Sequence, residues 1–399
     1  MPAYDPFEPV VLRDPYPAYA EVRATEGLTH VALMDAWLVS RFDDVSGVLR
    51  QGRLYSSARG MGDLVSMAFA SGPGRDVPRL LILEDPPVHT ALRRMVARGF
   101  TPSRIAVAEP LITDIARRHV ADLVERGAAG ELVRDFAMPF PVRVIAELLG
   151  IPPAMFGQFR AWSEAIVKAF SITPDPAGAD AAIDAINRFF AEVIDERTAR
   201  PGDDLVSLLV RSGGKGEDPL SLDELVNFCV LLLIAGNETT TNLLGNALVV
   251  LLERPDLEAQ LRADRTLVAP FVEEMLRFDS PVQSLFRGLS EPATVAGVDL
   301  PEGARLMVLL GAANRDARRF ESPDEVRIAR FAGATPDHVG FGSGIHLCLG
   351  APLARLEARV ALDALLDATS ALRPMGPATR TGSFLLRGCT EVPIEAVPA

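Results

Sequence analysis

Apolar residues recur every three to four positions along most of the chain, and this period predicts helices over residues 16–26, 87–99, 102–126, 142–149, 177–200, 221–254, 264–278 and 351–369. Alternating, strand-like pieces are short and lie in two places. One is 30–40; the other is 284–310 together with the chain end at 384–397, where Gly297, Pro301 and Gly303 mark turns. Many helices and a small sheet region predict a mostly α fold with a minor β part, an uneven α+β architecture.

The helix over 221–254 differs from the rest. Ser221 and Glu224 have capping-box spacing, Arg254-Pro255 stops the pattern, and at about 1.5 Å per residue the helix spans on the order of 50 Å. It is apolar on nearly all faces, so it must run through the core. Its middle reads Ala235-Gly236-Asn237-Glu238-Thr239-Thr240-Thr241, and an acid and hydroxyls buried there need partners or a purpose. Threonines bonding back to helix carbonyls account for part of such a cluster.

Composition fits a chain with a sizeable core: 48% of the 399 residues are hydrophobic and 23% charged. Neither repeats nor a composition shift divides it, so 1–399 reads as one domain. A net charge of -13 argues against nucleic acid or an anionic membrane surface as the main partner, although a local basic face stays open. Cys229, Cys348 and Cys389 are odd in number and far apart, without zinc or disulfide spacing, which points to a reducing cytoplasm. No signal-like start is visible, and the longest apolar run, 225–236, is too short to span a bilayer. The irregular stretches 59–79 and 171–178 are candidates for substrate access.

One cysteine stands in a distinctive setting. The run His338-Val-Gly-Phe341-Gly342-Ser343-Gly344-Ile345-His346-Leu347-Cys348-Leu349-Gly350 leads directly into the 351–369 helix. Gly342 and Gly344 permit backbone shapes and close approach that a side chain forbids, and a sulfur just ahead of a helix meets N–H groups and a positive dipole end that favour thiolate. Elsewhere, Glu274 and Arg277 lie three apart on one helical face, and His89 and Arg93 lie four apart on another. In isolation the first pair is a surface ion pair worth less than about 1 kcal/mol.

Together these segments resemble the bacterial, soluble cytochrome P450 family, whose haem-binding signature matches the run from Phe341 to Gly350. The resemblance implies a helix-rich triangular fold with small antiparallel sheets and haem b as cofactor. It implies Cys348 as the iron ligand, Phe341 packed near the haem, and Gly350 letting the following helix lie close. Glu274, Arg277 and Arg330 match the family's structural brace, although Val326 and Arg327 depart from the usual meander pattern. His89, Arg93, Arg287 and His346 match the partners of the haem propionates.

In the long helix, Ala235 and Gly236 would leave room for dioxygen where the helix opens locally. Thr239 would be the hydrogen-bond donor, and Glu238 the gate relaying protons from solvent. The implied reaction inserts one oxygen atom from dioxygen into a substrate. The chain carries no flavin or nicotinamide fingerprint, so electrons are expected from a ferredoxin and its NAD(P)H-dependent reductase, docking on a patch of Arg94, Arg98, Arg355 and Arg359.

The expected substrate pocket includes Val230, Leu231, Ile234, Val282, Leu285 and Phe286, which favours a small or medium hydrophobic molecule. Stretches 55–60, 280–287 and 311–316 look like those of members oxidising para-substituted aromatic acids. The long helix is aliphatic where such enzymes carry carboxylate anchors, so Arg75 or Arg79 is the alternative anchor. Hydroxylation and O-demethylation both stay open. A peroxide-driven peroxygenase is the rival enzyme, disfavoured by Glu238 and Thr239; a haem sensor or carrier without turnover is the rival outside enzymes. The expected protein is monomeric and cytoplasmic.

Overall fold

The computed structural model describes residues 4–60, 80–127, 130–168, 176–211, 220–333 and 337–399. Its helices are α1 (Pro9–Arg13), α2 (Tyr16–Ala24), α3 (Phe42–Arg50), α4 (Val88–Val96), α5 (Pro102–Glu125), α6 (Pro139–Leu148), α7 (Phe156–Lys168), α8 (Pro176–Ala199), α9 (Leu205–Val210), α10 (Leu222–Glu253), α11 (Pro255–Ala263), α12 (Val268–Phe278), α13 (Leu310–Ala313) and α14 (Ala351–Ala368). The long helix forms as its sequence requires. Ser221 accepts from the Glu224 amide and Glu224 returns the bond to the Ser221 amide, and most of the side chains beyond Thr239 are buried.

Helix α10 packs against α6, α8 and α14, and α14 lies along α5, so one apolar core joins these elements to α12. The sheets are smaller. Strands β1 (Thr29–Val31), β2 (Ala36–Val39), β3 (Tyr55–Ser56), β5 (Ser284–Leu289) and β8 (Arg305–Leu309) form one sheet in the order β1-β2-β8-β5-β3, with β2 parallel to β8 and the other pairs antiparallel. β4 (Gly130–Glu131), β9 (Thr369–Pro374) and β12 (Pro393–Pro398) form a second, while β6 (Ala293–Val295) with β7 (Val298–Leu300) and β10 (Thr379–Arg380) with β11 (Cys389–Glu391) are two-stranded.

Several expected elements differ in detail. The helix predicted over 264–278 begins as a 3-10 turn, Arg265–Leu267, because the Asp264 carboxylate takes the Thr266 amide at 2.9 Å. The strand predicted over 30–40 is interrupted by the turn Ala32–Met34 and by Asp35 at φ 44°. Helices α3, α7, α9 and α11 were not anticipated; in α11, Pro255 starts a helix rather than only ending one, since a proline at the first helical position has no N–H to leave unpaired. Of the two irregular stretches, residues 61–79 and 171–175 lie outside the described residues. Among the described residues, no helix is long and apolar enough to cross a membrane.

Candidate active site

The cysteine loop is built by glycines and by its dock on α3. Gly342 and Gly344 adopt φ 72° and 70°, and a Cβ on Gly344 would stand 2.3 Å from the Leu49 carbonyl oxygen. The 3-10 turn Gly344–His346 follows, and the Cys348 amide donates to the Phe341 carbonyl at 3.0 Å, which closes the loop. Cys348 is exposed, yet it lies deep enough that burial raises its thiol above the ordinary value. The Gly350 amide, Arg93, the Ala351 amide and Arg355 pull the other way. The thiolate-favouring groups expected from the sequence are therefore present but outweighed by burial, a balance that a cation on sulfur reverses.

Beside the loop, four basic side chains converge from three segments: α4, β5 and the cysteine loop. His89 is 1% exposed, its ring lies 4.2 Å from that of His346, and neither of its nitrogens has a hydrogen-bond partner among the described residues. Arg93 donates to the Leu347 carbonyl at 2.5 Å, and Arg287, buried on β5, donates to the Phe286 carbonyl at 2.8 Å. Burial pushes the Arg287 guanidinium down to about 10. Burial, then the charges of Arg287, His89 and Arg93, pushes His346 down to about 3. His89 is lowered by burial and Arg93.

Asp85 pulls Arg287 and His89 back toward their ordinary values, but its oxygens already serve the Ser56 hydroxyl and the Ser57 amide. Ser57 in turn sits 3.0 Å from His346 Nε2. No spacing in the chain singles out Ser57 and Asp85, whose roles depend on β3 pairing with β5. Gly60 permits the close approach of the following segment to β5, since a Cβ there would lie 2.4 Å from the Arg287 Cα.

The Glu274–Arg277 pair is buried, not superficial: both side chains are 0% exposed. Arg277 donates twice to Glu274, each at 2.8 Å, and to the carbonyls of Asn314, Pro323 and Glu325. Arg330 completes the triad at 3.1 Å from Glu274. Arg327, the departure in the meander, adds its backbone amide to Glu274 at 2.8 Å while its side chain turns to Glu321, Ser322 and Glu325. The substitution thus leaves the brace intact.

In α10, Ala235 is exposed within a largely buried helix, with Gly236, Glu238 and Thr239 part-buried. Burial raises the Glu238 carboxyl from 4.5 to about 7. Thr239 donates to the Ala235 carbonyl at 2.8 Å. Asn237 and Thr241 face elsewhere, bonding Ser163 at 2.5 Å and the Ala137 carbonyl at 3.1 Å.

Some expectations need correction. The helix does not open into a break; it is continuous from Leu222 to Glu253, and the Thr239 hydroxyl bonds back to the Ala235 carbonyl one turn earlier without interrupting it. The Cβ that Gly236 lacks would point at Ile145, 3.2 Å away, so this glycine makes room for α6 and only Ala235 presents open surface. Val230 is buried in the main core, turned about 140° around the helix from Ala235. Phe286 is also core: the pleat sends it to the opposite face from Leu285, among Tyr16, Tyr19 and Met307. Leu231 meets Leu80 and Leu83, and Val282 bridges to Leu386; with Ile234 and Leu285 these remain part-buried. Arg75 and Arg79 lie outside the described residues. The expected basic patch is partly neutralised, since Arg355 pairs with Glu273 and Arg359 with Glu109.

Comparison with known proteins decides what this arrangement belongs to. The Cytochrome P450 family model matches residues 169–372. The vitamin D(3) 25-hydroxylase of Pseudonocardia autotrophica is 39% identical over 404 residues, covering 99% of this chain and 97% of its own. The chain belongs to the cytochrome P450 family. The structure of cytochrome P450 CYP109Q5 from Chondromyces apiculatus superposes with a TM-score of 0.91 at 35% identity over the whole of both chains. CYP109E1 from Bacillus megaterium, solved in complex with corticosterone, gives 0.85 at 34% identity over 96% of this chain and 99% of its own.

This P450 is therefore an oxidoreductase of the monooxygenase type, with the family's mostly helical fold and haem b as its cofactor. The residues present fit that cofactor. Among the described residues, four basic side chains gathered beside one already engaged acid suit a ligand that brings two carboxylates, and the neutral, unpartnered His89 ring has an N–H free to donate to one of them. A thiol under opposing burial and cationic pull suits a bond to iron.

Proposed function

We propose that this P450 hydroxylates a hydrophobic substrate of steroid or terpenoid size, with Cys348 as the haem ligand and electrons delivered by a ferredoxin and its reductase. Haem, when bound, supplies an iron that activates dioxygen with two external electrons. The protein's part is to hold that group and to meter protons. Arg93 and Arg287 would neutralise its carboxylates and His89 and His346 would donate hydrogen bonds to them, while Glu274, Arg277 and Arg330 keep the cysteine loop in place through the meander. The observation that carries the reading is Glu238: its carboxyl, raised to about 7, both holds and releases a proton at neutral pH. Glu238 would take up and release protons from solvent, and Thr239 Oγ1, which here donates to the Ala235 carbonyl, would be the hydroxyl that presents a proton to the site.

The stripe formed by Leu231, Ile234 and Ala235 is aliphatic and offers no cation to an acid, which supports hydroxylation of an uncharged ring system over oxidation of aromatic acids. The two relatives named above, a vitamin D(3) hydroxylase and a corticosterone complex, support the size class. We place the protein in the cytoplasm as a monomer folded as one domain. The test is a spectral titration with testosterone and a panel of terpenes: binding shifts the haem spin state, and ferredoxin-supported turnover yields a product one oxygen heavier. Cys348→Ser is expected to abolish the thiolate-type spectrum and oxygenation while leaving the fold intact; a variant that kept both would refute the ligand assignment.

A further inference from the structure

Glu273 stands next to the brace carboxylate Glu274, so on α12 the two project about 100° apart and serve different neighbours. Glu274 faces the meander; Glu273 faces α14 and the cysteine loop. Both Glu273 oxygens are engaged. Arg355 forks onto them at 2.5 and 3.0 Å, and His338 Nε2 lies 2.9 Å from one of them. His338 Nδ1 accepts the Gly340 amide at 3.1 Å, which assigns the hydrogen to Nε2 and makes it the donor to Glu273. Burial opposes the charge on Glu273, but bonds from His338 and Arg355 hold its carboxyl below the ordinary range.

The cluster closes on Phe341. The Arg355 guanidinium sits 4.6 Å from the centre of that ring, and the His338 ring 6.2 Å from it. Phe341 accepts the Cys348 amide through its carbonyl, so Glu273, Arg355, Phe341 and Cys348 form an unbroken chain of contacts. Arg355 also pulls on the Cys348 thiol electrostatically. Arg359, one turn further along α14, pairs instead with Glu109 and Asp363.

We propose that Arg355, held by Glu273 and His338 against the Phe341 ring, is a positioning residue that sets the electron affinity of the haem iron. This extends the assignment of Cys348 as ligand and rests on it. Arg355 is 36% exposed, so an acidic redox partner also has access to it; the same side chain then both meets the partner and tunes the group being reduced. A positive charge near the sulfur favours the added electron. A planar guanidinium keeps the fork on Glu273 and the contact with the ring together, and the lysine ammonium keeps neither.

The experiment is a mediator-coupled redox titration of the haem-loaded protein without any protein partner, in which a small-molecule reductant gives one electron to ferric iron and no protein bond changes. Arg355→Gln and Arg355→Lys are both expected to weaken reduction roughly threefold or more, a fall of about 28 mV at about 59 mV per tenfold. Arg359→Gln removes the same charge one turn away and leaves the midpoint unchanged. Haem content and urea unfolding check each variant, with the lysine variant as the conservative one. Unchanged midpoints for both Arg355 variants overturn the proposal and leave a docking or purely structural cation. A lysine variant equal to wild type, or an equal shift for Arg359→Gln, overturns it in favour of charge alone. Loss of the ligand assignment is seen separately, as absence of the thiolate-type carbon monoxide band in the wild-type protein.

Discussion

Replacing Glu238 by glutamine removes the one acid in the central stretch of α10 and keeps its shape. In the folded protein burial raises this carboxyl from 4.5 to about 7. At about 1.4 kcal/mol per pH unit that corresponds to roughly 3 to 4 kcal/mol once the group is fully ionised in the unfolded chain. The folded state holds the proton more tightly than the unfolded chain, so the group costs nothing below pH about 4.5 and lowers stability progressively as pH rises through about 7. Glutamine carries no such dependence. Urea unfolding of the haem-loaded protein between pH 5 and 8 is therefore expected to show the variant gaining on wild type by roughly 2 kcal/mol or more.

The same change has the opposite effect on turnover. An amide cannot relay a proton, and product formation is expected to fall roughly 100-fold at pH 7 while substrate binding is retained. More stable at high pH yet catalytically poor is a combination that a merely structural glutamate does not produce. Parallel stability curves for the two proteins across the pH range would refute the reasoning.

Two further perturbations test the scaffold. Glu274→Gln leaves the fully buried Arg277 charge without its counterion and is expected to cost about 3–5 kcal/mol in urea unfolding, with loss of haem; a cost under about 1 kcal/mol would return the pair to the rank of a surface ion pair. Gly344→Ala places a methyl 2.3 Å from the Leu49 carbonyl at φ 70°, and a loss of about 2 kcal/mol or more with reduced haem retention is expected; wild-type haem content would show that the loop does not need this approach.

Much of the site was legible because its chemistry is local in sequence. The capping box of α10, the three-residue step from Glu274 to Arg277, the glycines ahead of Cys348 and the Glu238-Thr239 dipeptide each fix a geometry within one or two turns, and each stands where its spacing put it. Arg330 is legible despite the altered meander because Glu274 and Arg277 already define the acid that a third member must reach. Where residue order and structure part, the cause is tertiary. Gly236 and Val230 lie on the intended helix, but which side of a helix meets Ile145 or the core is set by α6 and its neighbours. Phe286 lies on the intended strand and faces the other way.

Residue order alone thus determined the helix-rich class, the likeness to a haem-thiolate family and the residue types available to hold a cofactor. Folding decided how they act. The engagement of Asp85 and Ser57 beside His346, the diversion of Arg355 and Arg359 to Glu273 and Glu109, and the neutral poise of Glu238 all arise from segments far apart in the chain. Spacing along a backbone fixes direction over a few residues, whereas burial and charge compensation depend on everything packed around a group, and those surroundings exist only in three dimensions.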